Sequence, residues 1–146
     1  MKASSILGEC RLVALGSAHG SDGVGWAVAR ALYGGQPPEA CLLNTPAELA
    51  RWLEDAEGLV ILDALFDESA TPGTVREVSA PELAQGFALG SHGPGLAEML
   101  GLRRVLSPAG APWRVYGVRV PSAPSVDQQV IARAERMLRD LLGQGA

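Results

Sequence analysis

The run Gly58-Leu59-Val60-Ile61-Leu62-Asp63 constrains this chain more than any other stretch. Four apolar residues in succession, two of them β-branched, leave no polar face for water. Such a run fits a parallel strand covered on both sides, and parallel neighbours have to be joined by crossovers, usually helices. The run stops at a carboxylate. Asp63 is therefore expected at the carboxyl end of an interior strand, where open α/β sheets gather their ligands.

The rest of the sequence supplies what such a strand needs. Residues 10–15, apolar from Leu12 onward, are expected to form the first strand, and residues 17–22 a short polar loop. Val24, Val28 and Leu32 then repeat at four-residue spacing over a helix expected at 22–33. Gly34-Gly35-Gln36-Pro37-Pro38 ends that helix. A short strand is expected at 40–44. Thr45-Pro46-Ala47-Glu48 spells a capping box with proline in the first turn, opening a helix to about residue 55 that buries Leu49, Trp52 and Leu53. Residues 66–73 read as a polar loop and 74–78 as an exposed edge strand. Ser79-Ala80-Pro81-Glu82 repeats the capping pattern before a short helix. Ser91-His92-Gly93-Pro94-Gly95 reads as a tight turn into a helix over 96–102, and residues 113–120 as the last strand. Ser125-Val126-Asp127-Gln128 is a third capping box, ahead of a final amphipathic helix reaching about residue 142.

Strands alternating with helices through short connections predict an α/β fold. The expectation is a single domain over residues 1–146, with 1–9 frayed. Its core is a twisted, mostly parallel five-stranded sheet with one antiparallel edge strand and helices on both faces. If the first and third strands are neighbours and the first two helices lie on opposite faces, the loop 17–22 and Asp63 share one crevice.

Composition closes off several function classes. Hydrophobic residues make up 47% of the chain, yet no stretch approaches the roughly 18 consecutive apolar residues of a membrane span. The first residues lack the apolar core of a secretory signal, so the expectation is a cytoplasmic protein without a membrane partner. The basic residues are almost all Arg and are spread along a chain of net charge −4, leaving no cationic stripe for nucleic acid. Cys10 and Cys41 lack zinc-type spacing and read as reduced, partly buried thiols.

The common catalytic signatures are missing: the serine nucleophile elbow, the paired zinc histidines, the phosphate loop and the dinucleotide fingerprint. What remains is a set of side chains on three separate loops, Asp22, Asp63 and His92. Two carboxylates and an imidazole suit a borderline divalent ion such as nickel or zinc, and leave positions for water or a substrate group. Each residue also has an ordinary structural role open to it. Asp22 can be a favourable charge at a helix N-terminus, Asp63 a turn residue at a strand end, and His92 a hydrogen-bonded structural group. His19, just before Asp22, is an accessory ligand, a proton shuttle or a plain loop histidine. Ser17 and Ser91 lack the setting of an activated nucleophile.

Three dispersed motifs make the set recognisable. Leu15-Gly16 through Asp22-Gly23-Val24-Gly25, then Val60-Ile61-Leu62-Asp63-Ala64, then Gly90-Ser91-His92-Gly93 resemble, in order and separation, the hydrogenase maturation proteases of the HybD/HycI type. The resemblance implies an endopeptidase that removes the C-terminal extension from the large-subunit precursor of a nickel-iron hydrogenase after nickel insertion. It also implies that Asp22, Asp63 and His92 contact the metal and orient the scissile peptide, with Asp63 favoured as general base. The nickel belongs to the precursor; zinc or cadmium can substitute for it, and no organic cofactor is implied. The protease is expected to act as a monomer.

The chain departs from the family pattern in its first loop, which begins Gly16-Ser17 where Gly-Asn is usual and has Ser21 where a second acidic residue precedes Asp22. The connection Pro121-Ser122-Ala123-Pro124 is also short. Two rival readings follow: a non-proteolytic, metal-sensing or chaperone-like binder of the same precursor, and a small α/β hydrolase or nucleotide binder on the same scaffold.

Overall fold

Burial of consecutive apolar residues organises the centre of the molecule. Leu59–Phe66 forms one long strand, β3, buried along all but its last residue. It lies between the parallel strands Leu12–Leu15, β1, and Trp113–Val120, β5. Leu42–Leu43, β2, adds to the outer side of β1, also in parallel, and Val75–Val78, β4, pairs antiparallel with β5 at the other edge. The sheet order is β2-β1-β3-β5-β4. The computed structural model describes residues 11–16, 23–85, 92–120 and 127–144. Among them the expected mostly parallel, five-stranded sheet with one antiparallel edge is present. The helices are Val24–Leu32 (α1), Ala80–Ala84 (α2), His92–Leu106 (α3) and Gln128–Gln144 (α4), with a 3₁₀ helix at Pro46–Trp52.

Alternation along β3 divides the interior in two. Val60, Leu62 and Ala64 face a core shared with Val24 and Val28 of α1 and Ala134 and Leu138 of α4. Ile61 and Leu65 face the opposite core, closed by Leu49 and Trp52 of the 3₁₀ helix, Leu83 of α2, and Leu96 and Met99 of α3. The first two helical segments thus cover opposite faces, as anticipated. Cys41 is buried within the second core, with its Sγ 3.7 Å from the Tyr33 hydroxyl. No helix among the described residues is long and apolar enough to cross a membrane.

Several boundaries differ from the sequence expectation, each for a physical reason. Asp63 lies inside β3 and not at its end, because pairing with β5 continues to Phe66↔Val120 and the polar loop begins only at Asp67. The expected strand at 40–44 contracts to Leu42–Leu43 because Glu39–Cys41 winds into a 3₁₀ turn, with the Cys41 N–H donating to the Pro38 carbonyl at 2.9 Å. The segment after Thr45 is 3₁₀ and not α-helical, held by bonds such as Leu53 N–H to Ala50 O at 3.2 Å. Helix α3 begins at His92 itself and runs to Leu106, since Gly93, Pro94 and Gly95 occupy its first turn, where a proline interrupts no intrahelical bond. Helix α4 starts at Gln128, where the Asp127 carboxylate caps the Val130 N–H at 3.0 Å. Ser125 and Val126 of the predicted third capping box lie outside the described residues, as do Cys10, the segment expected to fray at 1–9, and the short connection 121–124.

Candidate functional site

A short strand beside a long one creates the site. Pairing of β1 with β3 stops at Ala14↔Leu62, so Asp63 is the first residue of β3 beyond the paired end of β1. The crossover from β1 to β2 travels over one face through α1, and the return to β3 passes over the other through the 3₁₀ helix. The boundary between β1 and β3 is therefore the topological switch point, the place where such sheets open a crevice. Helix α1 closes tightly on it: a Cβ at Gly25 would stand 2.8 Å from the Leu15 carbonyl oxygen and 3.7 Å from the Asp63 Cα.

Asp63 takes its place in the alternation with Ile61 and Leu65, which directs its side chain toward α3. It is 1% exposed, and burying a carboxylate there costs free energy unless its oxygens are hydrogen-bonded. They are. Oδ1 accepts the Ala64 N–H at 2.8 Å, and Oδ2 lies 2.7 Å from Nδ1 of His92 at the start of α3. The His92 side chain is 13% exposed, so the pair joins a fixed buried carboxylate to an imidazole nearer the surface. A neutral ring that donates from Nδ1 to Asp63 keeps its acceptor lone pair on Nε2, because hydrogen bonding at one nitrogen selects the tautomer.

Two of the predicted site residues, from motifs 29 positions apart, thus meet directly. The others do not enter the described residues: Asp22, His19, Ser17 and Ser91 lie outside them. Among the described residues no group of three His, Cys, Asp or Glu side chains converges as a metal site. A carboxylate and an imidazole are two donors a borderline divalent ion accepts. A carboxylate bonded to the ring of a ligating histidine is also the usual way of orienting that ring.

Supporting contacts around the pair escape sequence reasoning. The Leu43 carbonyl accepts both the Gly16 N–H and the Trp26 indole N–H, each at 3.0 Å, which ties the end of β1 and the first turn of α1 to the end of β2. Only the aromatic type of Trp26 hinted at it, because a partly buried indole N–H usually finds an acceptor. Arg103 of α3 is 4% exposed and is held by backbone carbonyls. The available signal was its place on the apolar stripe Leu96, Met99, Leu100, Arg103, where a charge demands an explanation.

No family model matches the chain, and no curated protein matches it. Solved structures do. The HybD maturation protease of NiFe hydrogenase from Thermococcus kodakarensis superposes with a TM-score of 0.62 at 20% identity, covering 90% of this chain and 99% of that one. The fold is that of the hydrogenase maturation proteases. The hydrogenase maturating endopeptidase HybD from E. coli gives a TM-score of 0.62 at 22% identity over 92% of this chain and 91% of its own. The NiFe hydrogenase maturation protease HycI from Thermococcus kodakarensis KOD1 gives 0.61 at 19% identity, covering 97% and 96% of the two chains. At these identities the likeness is one of architecture, and residue roles have to be argued from this chain.

Proposed function

We propose that this chain is an endopeptidase that removes the C-terminal extension of a nickel-iron hydrogenase large-subunit precursor once nickel has been inserted. The observation that carries the reading is the Asp63–His92 contact of 2.7 Å at the switch point of a maturation-protease fold. Asp22, which follows β1 in the sequence, is assigned as the third side chain of the set. In this reading the three groups recognise the nickel that arrives with the precursor and orient the scissile peptide, and Asp63 takes the proton from the attacking water. Asp63 is the better fixed member, since β3 is paired along its β5 side and both carboxylate oxygens are engaged, Oδ1 by the Ala64 N–H and Oδ2 by the His92 ring. Bound nickel would polarise the scissile carbonyl or the water. Being cargo of the substrate, it also gives the protease a means of telling a loaded precursor from an empty one.

The test is to incubate the chain with nickel-loaded and nickel-free precursor from the same genome and to follow loss of the tail by mass spectrometry. Cleavage of the loaded form alone is expected, and no cleavage of either form overturns the proposal. The altered first loop, with Ser21 ahead of Asp22, favours one rival: a binder that senses the metal without cutting. A stoichiometric complex with the loaded precursor, without product, is its signature.

A further inference from the structure

We propose that Gly95, packed bare against Pro46, is the positioning residue that seats His92 on Asp63; the inference rests on reading Asp63 and His92 as the working pair. Gly95 lies in the first turn of α3, one turn after His92. A Cβ at this position would stand 3.0 Å from Pro46 Cγ and 3.2 Å from Pro46 Cβ, closer than carbon atoms pack without one of them moving. The proline is the less mobile partner. It opens the 3₁₀ helix, whose start is clamped by the Asn44 and Thr45 N–H groups donating to the Glu48 carboxylate at 2.7 and 2.8 Å. Behind it Leu49 and Trp52 are buried in the core. Farther along α3, Leu96 and Met99 are anchored in the same core. A methyl group on residue 95 therefore pushes the His92 end of α3 away from Pro46 by a few tenths of an ångström while the rest of the helix stays docked. The displacement acts where it matters, because a 2.7 Å hydrogen bond to a buried carboxylate weakens quickly as its geometry degrades.

The same helix supplies the control. A Cβ at Gly101 meets nothing within 4 Å, so Gly101→Ala changes helix composition without touching a neighbour.

In the full chain, Gly95→Ala, Gly95→Val and Gly101→Ala are compared by NMR of the His92 Nδ1 proton and by cleavage of the nickel-loaded precursor. Gly95→Ala is expected to shift the His92 proton and to cut cleavage kcat about 10-fold, with KM for the precursor little changed. Gly95→Val does more of both, and Gly101→Ala does neither. Combining Pro46→Gly with Gly95→Ala should restore most of the signal and of the rate, since both crowding carbons, Cγ and Cβ, are gone. A Gly95→Val protein with an unshifted proton overturns the inference, as does failure of the Pro46→Gly rescue. Should the unaltered chain cut no precursor, the protease reading falls by itself, and the NMR comparison with its rescue still decides the role of Gly95.

Discussion

Two charged side chains are buried among the described residues, both on the α3 side of the sheet, and they do opposite things. Asp63 is 1% exposed and Arg103 4%. Arg103 donates to the carbonyls of Leu53 at 3.0 Å, Glu57 at 3.1 Å and Ala111 at 3.0 Å, and also to Asp55 O. Its guanidinium lies 5.4 Å from the centre of the Trp113 ring. Those carbonyls belong to the segments leading into β3 and β5, at the amino end of the sheet, so Arg103 binds two approaching chains to one helix. A guanidinium offers donors only, in a rigid planar fork, so it can hold carbonyls but accept nothing. Asp63 sits toward the other end of β3 and faces an imidazole, a ring with one nitrogen at the carboxylate and a second left for a ligand or a proton. Burial is common to both; the chemistry of the partner separates a brace from a candidate catalytic group.

The largest expected effect breaks the Asp63 side of this comparison. Asp63→Asn and His92→Ala should each lower cleavage of the nickel-loaded precursor by about 10³-fold or more, the range for losing a positioned proton acceptor. Asp63→Asn should move the thermal midpoint little, because the amide is polar and of the same size, whereas His92→Ala strands the buried Asp63 carboxylate and should cost about 3 kcal/mol, so its rate is compared per folded molecule. Full activity in both variants removes the pair from the mechanism. The mirror image is Arg103→Met, which strands several carbonyls and should cost about 3 kcal/mol of stability, read from urea unfolding. Activity per folded molecule should be unchanged. A loss of rate without loss of stability in Arg103→Met means that the two buried charges are coupled, and the division drawn above fails.

The sequence made the strands legible wherever burial on both faces left no polar residue, as at residues 59–62, and it made the helix starts at Ser79 and Thr45 legible through their capping boxes. It misplaced Asp63 at a strand end because a lone charge in an apolar run resembles a terminus. The partners that let the strand continue, the Ala64 N–H and a histidine 29 positions away, have no local signature. His92 appeared to precede a helix for a similar reason: glycine and proline at 93–95 read as a turn, yet both fit a first helical turn whose N–H groups need no intrahelical acceptor. The meeting of Asp63 with His92 was anticipated through the ordered motifs, while sheet topology pointed only to Asp63 and the segment 17–22. Nothing local could show that Gly95 abuts Pro46, or that Leu43 O serves both Gly16 and Trp26, since these depend on how separate segments cross.

A smaller effect sharpens the comparison from the α1 side. Trp26→Phe keeps an aromatic ring but removes the donor to Leu43 O, so it should cost about 1 kcal/mol. Denaturant unfolding measures that loss. If Trp26 serves only the fold, cleavage per folded molecule stays at the level of the unaltered chain. If the shared carbonyl also holds the chain where it leaves β1 and enters α1, the rate falls along with stability.

The smallest effect lies beside Arg103 and disappears in acid. Asp55 lends its backbone carbonyl to Arg103, while its carboxylate receives the Arg11 guanidinium at 2.6 Å. The Arg11 hydrogen bond, followed by the Glu57 N–H, holds the Asp55 carboxyl below its ordinary value of 3.8. A carboxyl whose pKa is lowered by folding stabilises the native state fully above its unfolded value, and that contribution is lost as the pH falls through the folded one. The side chain is 34% exposed, so solvent keeps the increment under about 1 kcal/mol. Asp55→Asn should therefore be slightly less stable than the unaltered chain at neutral pH, and the gap should close below about pH 4 as the native carboxyl protonates. Unfolding midpoints at stepped pH give the difference directly. A gap that stays constant across that range assigns the contribution of Asp55 to hydrogen-bond geometry alone, and leaves Arg103 as the brace of this end at every pH.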